Sequence, residues 1–278
     1  MDMTSPRNIS KILAQYDAKI RKAWGQNFLT NPAVVEASLA GAELTGIETV
    51  VEVGPGLGVM TAPLLDLARE VIAIEIDPLL CQVLTDRFCQ RQNFTLVQGD
   101  VLAQDFARLV PGPYWVVANL PYYITSPFLE KLITQEHSPL GAVFLVQLEV
   151  AQRLSASPGT KEYGSLSVFV QYHCQVDIIY RVSPGSFYPS PKVDSALVKL
   201  RWRPPLYRPR NPGLMFKIVR TAFGQRRKML KGLLARNFGL PPAQVGAVLE
   251  QLGHDAGVRG ERLSVQDFAK LADLMEVL

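Results

Sequence analysis

The sequence predicts an α/β fold: a doubly wound, mostly parallel sheet followed by a small all-α C-terminal domain. Three observations carry that prediction. Short unbroken apolar runs at 49–53, 71–76, 94–98, 114–118 and 142–147 alternate with helical stretches. This is the pattern of βαβ units whose sheet is covered on both faces. A glycine-rich turn, Gly54-Pro55-Gly56-Leu57-Gly58, directly follows the first run. Finally, residues 203–212 contain four prolines, and helical periodicity takes over from Leu214, marking a linker and a second domain.

The elements follow in order. Asn31-Pro32 reads as an N-cap with proline at the first helical position, opening a helix to about residue 44. Strand 49–53 leads through the glycine turn into a helix over 60–68. Strand 71–76 precedes a helix over 78–91, for which Asp77 is the natural N-cap. Strands at 94–98, 114–118 and 142–147 follow, with a helix over 126–134 before the last. Beyond residue 150 the pattern changes: helices are expected over 149–155 and 166–172, and strands over 176–182 and 195–202. The two prolines within 187–193 make that stretch a loop. Domains are therefore expected at 1–207 and 208–278.

Composition narrows the classes. At 48% apolar and 19% charged, the chain is an ordinary globular protein. It has no apolar run approaching the ~20 residues of a membrane span. The first thirty residues carry basic side chains, among them Lys19, Arg21 and Lys22, but no apolar core of a secretory signal. Three cysteines without metal-ligand spacing suggest reduced thiols, a cytoplasmic location and no metal site. His137, His173 and His254 are scattered and read as packing or surface residues. The net charge of +4 conceals a block from Arg181 to Arg236 with fourteen Lys/Arg against the single Asp194; the rest of the chain has 15 Lys/Arg against 24 Asp/Glu. A contiguous excess of this size calls for a polyanion partner.

Chemistry concentrates at the strand ends. Gly54 and Gly56 allow backbone to approach a ligand closely. The spacing is G-x-G-x-G with Val at position 59, and no Gly-Lys-Ser/Thr follows, which disfavours a pyrophosphate reader and a P-loop. Glu75 ends the second run, where a carboxylate can accept both hydroxyls of a ribose. Asp100 ends the third and can accept from an amino group. The fourth run ends in Asn119-Leu120-Pro121-Tyr122. Here the Asn119 side-chain oxygen and the Leu120 carbonyl, steered by Pro121, can accept from one exocyclic amine, while Tyr122 offers a face for a stacked base. Taken alone, this tetrapeptide also fits a strand ending in a proline turn. Three polar groups at successive strand ends point to one crevice. Phe187 is open to two readings, a second face for the base or a core residue beside the proline-rich loop.

The segments Gly25-Gln26-Asn27-Phe28-Leu29, Glu52-Val53-Gly54-Pro55-Gly56-Leu57-Gly58, Asn119-Leu120-Pro121-Tyr122, Phe187-Tyr188-Pro189-Ser190-Pro191-Lys192-Val193 and Ala222-Phe223-Gly224-Gln225-Arg226-Arg227-Lys228 occur in this order. With them, from about residue 20 to the C-terminus, the chain resembles the small-subunit ribosomal RNA adenine N6,N6-dimethyltransferases. The resemblance implies an S-adenosylmethionine methyltransferase sheet ending in an antiparallel strand pair. It implies cofactor contacts at Asn27, Leu29, Gly54, Glu75, Asp100 and Asn119, and a small-subunit rRNA substrate. A monomer is expected, with no membrane and no DNA partner. Leu148 departs from the family, where Lys is frequent, and puts one RNA contact in doubt. Arg220, Arg226, Arg227, Lys228 and Lys231 read as a basic cluster in helical register that would grip RNA phosphate. Three rivals remain open on sequence: a large-subunit rRNA adenine methyltransferase of the macrolide-resistance type, a non-catalytic RNA-binding factor, and a DNA adenine methyltransferase.

Overall fold

The computed structural model describes residues 3–21, 25–121 and 123–278. Tyr122 and Lys22, both singled out above, lie outside the described residues. The strands are β1 (Phe28–Leu29), β2 (Thr49–Val53), β3 (Glu70–Glu75), β4 (Phe94–Gln98), β5 (Tyr114–Asn119), β6 (Gly141–Gln147), β7 (Cys174–Val182), β8 (Phe187–Tyr188) and β9 (Ser195–Trp202). The α-helices are α1 (Pro6–Gln15), α2 (Pro32–Ala42), α3 (Thr61–Leu67), α4 (Pro78–Phe88), α5 (Phe106–Leu109), α6 (Thr125–Thr134), α7 (Leu148–Leu154), α8 (Ser165–His173), α9 (Pro212–Gly224), α10 (Leu230–Phe238), α11 (Pro242–Gln251) and α12 (Val265–Glu276).

Seven strands form one sheet in the order β4-β3-β2-β5-β6-β9-β7. β2 pairs in parallel with both β3 and β5, and β3–β4 and β5–β6 are also parallel; β6–β9 is antiparallel. The unbroken apolar runs are explained by burial: every residue of β2 is inaccessible, as are the first six of β6. β4 closes one edge and alternates between half-buried and exposed, so it needs less apolar character. The chain winds outward from β2 to β4, then returns to β5 beside β2 and winds the other way. The expected fold class is therefore the observed one; element boundaries shift by up to three residues, as where the helix expected over 78–91 ends at Phe88, and the stretch 187–193 expected as a loop contributes the short strand β8.

Helix ends follow their sequence signals. Asn31 Oδ1 accepts from Ala33 N at 3.0 Å, and Asp77 Oδ1 accepts from Leu79 N at 3.0 Å, each preceding a proline at the first helical position.

The chain divides into two compact units, Met1–Ala151 with Val176–Trp202, and Gln152–Gln175 with Arg203–Leu278. This differs from a division at residue 207, because α8 folds with the C-terminal helices. Its Val168 and Tyr172 share a core with Met215, Ile218, Leu234 and Phe268. The proline-rich stretch before α9 is fastened rather than loose. Tyr207 donates to Asp273 Oδ2 at 2.6 Å, and Arg210 N donates to Asp273 Oδ1 at 2.7 Å.

Candidate active site

Strand register builds the site. Val53 pairs with Ile74 on one side and Ala118 on the other, so Gly54, Glu75 and Asn119 emerge together at the carboxyl edge. Between β2 and β5 the winding reverses, leaving the crevice in which open α/β sheets bind ligands. A cavity of about 250 Å³ occupies it, and Asn27, Leu29, Gly54, Gly56, Glu75, Asp100, Asn119 and Pro121 all line its wall.

The glycine turn lies beneath this cavity. Gly54 and Gly56 have φ of +67° and +59°, left-handed values that side-chain-bearing residues avoid. A Cβ on Gly56 would also press on the Phe28 ring at 3.4 Å. Arg87 of α4 donates to the Leu57 carbonyl, holding the turn from behind.

Glu75 is 5% exposed. Its Oε1 accepts from Ile76 N at 2.9 Å and Asp77 N at 3.0 Å, and its Oε2 from Gly56 N at 3.1 Å. Burial raises the carboxyl's pKa above the ordinary value, and these three N–H groups oppose the shift. A carboxylate has about four lone-pair positions, so one remains, on Oε2. The expectation that Glu75 takes both ribose hydroxyls therefore meets a limit: in this arrangement it can accept one. Asp100 accepts from Leu102 N with Oδ1 at 2.9 Å and is exposed. Among the described residues its Oδ2 has no protein donor.

Asn119 is the best-defined polar group of the site. Its Nδ2 donates to the Asn27 carbonyl at 2.9 Å. That bond fixes the amide's orientation and leaves Oδ1 as an acceptor. The Leu120 side chain is buried, 1% exposed, and its N–H donates to Leu145 O at 3.2 Å. No donor among the described residues takes its carbonyl. The Pro121 carbonyl, by contrast, is used by Ile124 N at 3.1 Å. Two oxygens thus stay uncommitted where β5 ends. Tyr123, 56% exposed, stands at the same cavity. Its hydroxyl pKa is raised by burial first, then by the charges of Asp100 and Glu75.

Phe187 is placed elsewhere. It is 6% exposed and packs in the core with Leu29, Val34 and Leu197. It pairs with Leu29 across β1–β8 and does not line the cavity. Of the two readings left open, its packing favours the core residue: the Phe187–Tyr188 strand braces the segment that carries Asn27 and Leu29.

The basic residues need a second correction. α9 ends at Gly224 and α10 begins at Leu230, so Arg226, Arg227 and Lys228 occupy a turn and share no helical register. Arg226 is occupied, donating to Lys161 O at 2.9 Å and pairing with Glu261 at 3.3 Å. Arg220, Arg227 and Lys228 are exposed and Lys231 is half-buried.

Sequence reading missed α1 and Gln26. Met3 and Ile9 line the cavity, and α1 packs on Phe28, Leu57, Leu80 and Val83. The signal was present: Ser5-Pro6 starts a helix, and Ile9, Ile12 and Leu13 have helical spacing. No histidine lines the cavity. His137 bonds Gly112 O, and His173 stacks on Phe216. Among the described residues no cluster of His, Cys, Asp or Glu could hold a metal, and no helix is long and apolar enough to cross a membrane.

The donor set fits the cofactor the resemblance implies. A buried carboxylate with one open lone pair at Glu75, an unclaimed Asp100 oxygen, apolar walls at Ile76 and Leu102, and a turn without Cβ atoms at Gly54 and Gly56 are what a nucleoside with a short charged tail requires.

Comparison with known proteins gives concordant matches. Residues 17–276 match the family model described as "Ribosomal RNA adenine dimethylase". The "Ribosomal RNA small subunit methyltransferase A" of Clostridium botulinum (strain Langeland) is 41% identical over 96% of this chain and 98% of its own length. The protein of the same name from Pelotomaculum thermopropionicum is 41% identical over 98% and 96%. Among solved structures, a dimethyladenosine transferase from Plasmodium falciparum superposes with a TM-score of 0.75 at 29% identity, covering 87% of this chain and 95% of that one. The 23S rRNA methyltransferase ErmE does so with a TM-score of 0.75 at 27% identity, covering 90% and 100%.

Proposed function

Because the chain belongs to the ribosomal RNA adenine dimethylase family, we propose that it methylates the exocyclic N6 of two adjacent adenosines in a loop near the 3′ end of small-subunit rRNA. The products are dimethyladenosines, formed during ribosome biogenesis. The observation that carries this reading is the orientation of Asn119, whose Nδ2 is spent on the Asn27 carbonyl while Oδ1 and the Leu120 carbonyl stay open.

An adenine amino nitrogen is a weak nucleophile because its lone pair is delocalised into the ring. Two acceptors at the end of β5 would hold its N–H groups, favour a more tetrahedral nitrogen and fix the direction of its lone pair. S-adenosylmethionine, when bound, supplies the methyl group as an electrophile. Asn119 and Leu120 present oxygen to a nitrogen that gains positive charge, so catalysis is orientation plus electrostatic stabilisation. The methylated nitrogen is strongly acidic and gives its proton to water, consistent with a cavity wall without histidine. Pro121 sets the backbone direction, and Tyr122 and Tyr123 are the aromatic candidates to face the unstacked base. A dimethylating site must also accept the monomethyl product, which has one N–H fewer, so one acceptor serves only the first round.

Glu75 would bind the cofactor ribose through its remaining Oε2 lone pair, with Asp100 reading the base and Asn27, Leu29, Gly54 and Gly56 shaping the rest. Glu75→Gln is expected to weaken S-adenosylmethionine binding about 10- to 100-fold by calorimetry, the worth of a hydrogen bond to a charged group. An unchanged affinity would remove Glu75 from the cofactor site. RNA phosphate would be held by Arg220, Arg227, Lys228 and Lys231; Arg226 instead braces the helical unit. Reversing charge at Arg227 and Lys228 is expected to shrink the slope of log affinity against log salt by about 1 to 2. A parent-like slope would move the footprint off this turn. We also place the protein in the cytoplasm as a monomer, on composition and family resemblance.

The large-subunit reading keeps one support, the equal superposition on ErmE. The 41% identity to proteins named for the small subunit favours the small subunit. Mass spectrometry of rRNA, after incubating protein and cofactor with unmodified small or large subunits, decides. Paired dimethyladenosines in the small subunit alone are expected. Modification of the large subunit alone, or of neither, would overturn the assignment.

A further inference from the structure

Gln26 lines the cavity and makes no hydrogen bond to either acceptor oxygen, yet through hydrogen bonds and its peptide link to Asn27 it joins one end of the cavity to the other. Asp77 N donates to Glu75 Oε1 at 3.0 Å. Asp77 Oδ2 accepts from Gln26 Nε2 at 2.9 Å, while Asp77 Oδ1 caps α4. Gln26 Oε1 accepts from Arg21 N at 2.7 Å, so the Gln26 amide is held at both ends. The next residue, Asn27, presents the carbonyl to which Asn119 Nδ2 donates at 2.9 Å. On its other side, Gly25 has φ +63°, and a Cβ there would lie 3.4 Å from Pro121 Cβ. The strap 25–27 therefore lies over the Asn119–Pro121 turn, and its anchorage is Asp77, which is 2% exposed.

We propose that Gln26 is a positioning residue for methyl transfer: clamped to Asp77, it holds the Asn27 carbonyl where it orients the Asn119 amide, and so links the Glu75 end of the site to the amine-binding end. The inference rests on the methyltransferase reading above. A primary amide whose Nδ2 loses its partner can turn over and offer N–H in place of oxygen to the substrate amine, which has only N–H to give. Loss of the clamp thus reduces transfer while the acceptor oxygens of Asn119 and Leu120 remain in the chain. The second methylation suffers more, because the monomethyl amine has one N–H and tolerates less ambiguity in where its acceptor lies.

The test is a charge-neutral exchange of the bonded pair. Gln26→Glu places a second carboxylate against Asp77 Oδ2 and removes the donor. Adding Asp77→Asn restores a bond of opposite sense, and Asn still caps α4. Single-turnover transfer to unmodified small subunits, cofactor affinity by calorimetry and the ratio of monomethyl to dimethyladenosine are measured for parent, Gln26→Glu and the double variant. For Gln26→Glu we expect at least about a tenfold slower transfer, cofactor affinity within about threefold of the parent, and accumulation of monomethyladenosine. The double variant is expected to recover to within about threefold of the parent. Parent-like transfer by Gln26→Glu, a parallel fall in affinity and rate, or failure of Asp77→Asn to rescue would each overturn the proposal. If Gln26→Glu does not fold, Gln26→Met, which lacks both bonds and adds no charge, is held to the same rate and product criteria. An inactive parent would instead strike at the methyltransferase reading itself.

Discussion

Asn119→Ala is expected to reduce methyl transfer by about 100- to 1,000-fold, the scale on which losing an aligned electrostatic group acts. The fold should survive, because what disappears is one partly buried hydrogen bond to the Asn27 carbonyl. That loss costs about 1 kcal/mol, which at this chain length lowers the melting temperature by only about 2–4 °C. Asn119→Asp separates the two roles of the amide. It keeps an acceptor oxygen for the substrate but turns a second oxygen toward the Asn27 carbonyl, where like partial charges repel. It too should transfer methyl slowly. Radiolabel incorporation into small subunits, read beside a melting curve, checks both variants. A folded Asn119→Ala protein with parent-like turnover would show that the substrate amine is not held by this amide.

A second large effect concerns stability, and its source is Glu52. This residue is the fourth of the five in β2 and has no exposed surface. Thr61 donates to its Oε2 at 2.6 Å, and its Oε1 is buried with no partner. Burial, slightly aided by the charge of Glu75 and opposed by Thr61, lifts the carboxyl to about 8 from an ordinary 4.5. The folded protein thus keeps a proton that the unfolded chain releases. Below pH 4.5 both states are protonated and nothing is lost. Between 4.5 and 8 the folded state binds the extra proton, so stability falls as pH rises, by up to roughly 1.4 kcal/mol per pH unit. Above about pH 8 both states are ionised and the decline stops. Urea titrations at pH 5, 6, 7 and 8 should show that decline in the parent and a flatter profile in Glu52→Gln, whatever that variant's absolute stability. Parallel profiles would show that Glu52 is not the titrating group.

The sheet was legible because its strands are buried on both faces, which forces unbroken apolar runs such as 49–53 and 142–147. The polar groups after those runs were visible for the same reason: Glu75, Asp100 and Asn119 stand out where the apolar pattern stops. Much of the remainder depended on contacts across long sequence separations. β1 and β8 have two residues each, too few for any periodicity, and their pairing is what turns Phe187 into the core. Arg226 reads as one of three equivalent cations until the fold brings Glu261 beside it. The limit on Glu75 was hidden too, since its competitors for lone pairs are backbone N–H groups, which every sequence has. Gln26 was visible within a motif, but its partner Asp77 lies 51 positions away.

The first helix offers an experimental handle. α1 has ten residues, and isolated helices shorter than about 12–15 residues are marginal in water. Its order is therefore borrowed from Phe28, Leu57, Leu80 and Val83, the same side of the molecule whose cavity receives Met3 and Ile9. Amide deuterium uptake along residues 8–15 should slow when that cavity is filled and quicken when it is emptied. Backbone exchange in this one segment would then report occupancy of the site, with no substrate RNA in the tube and no label on the protein.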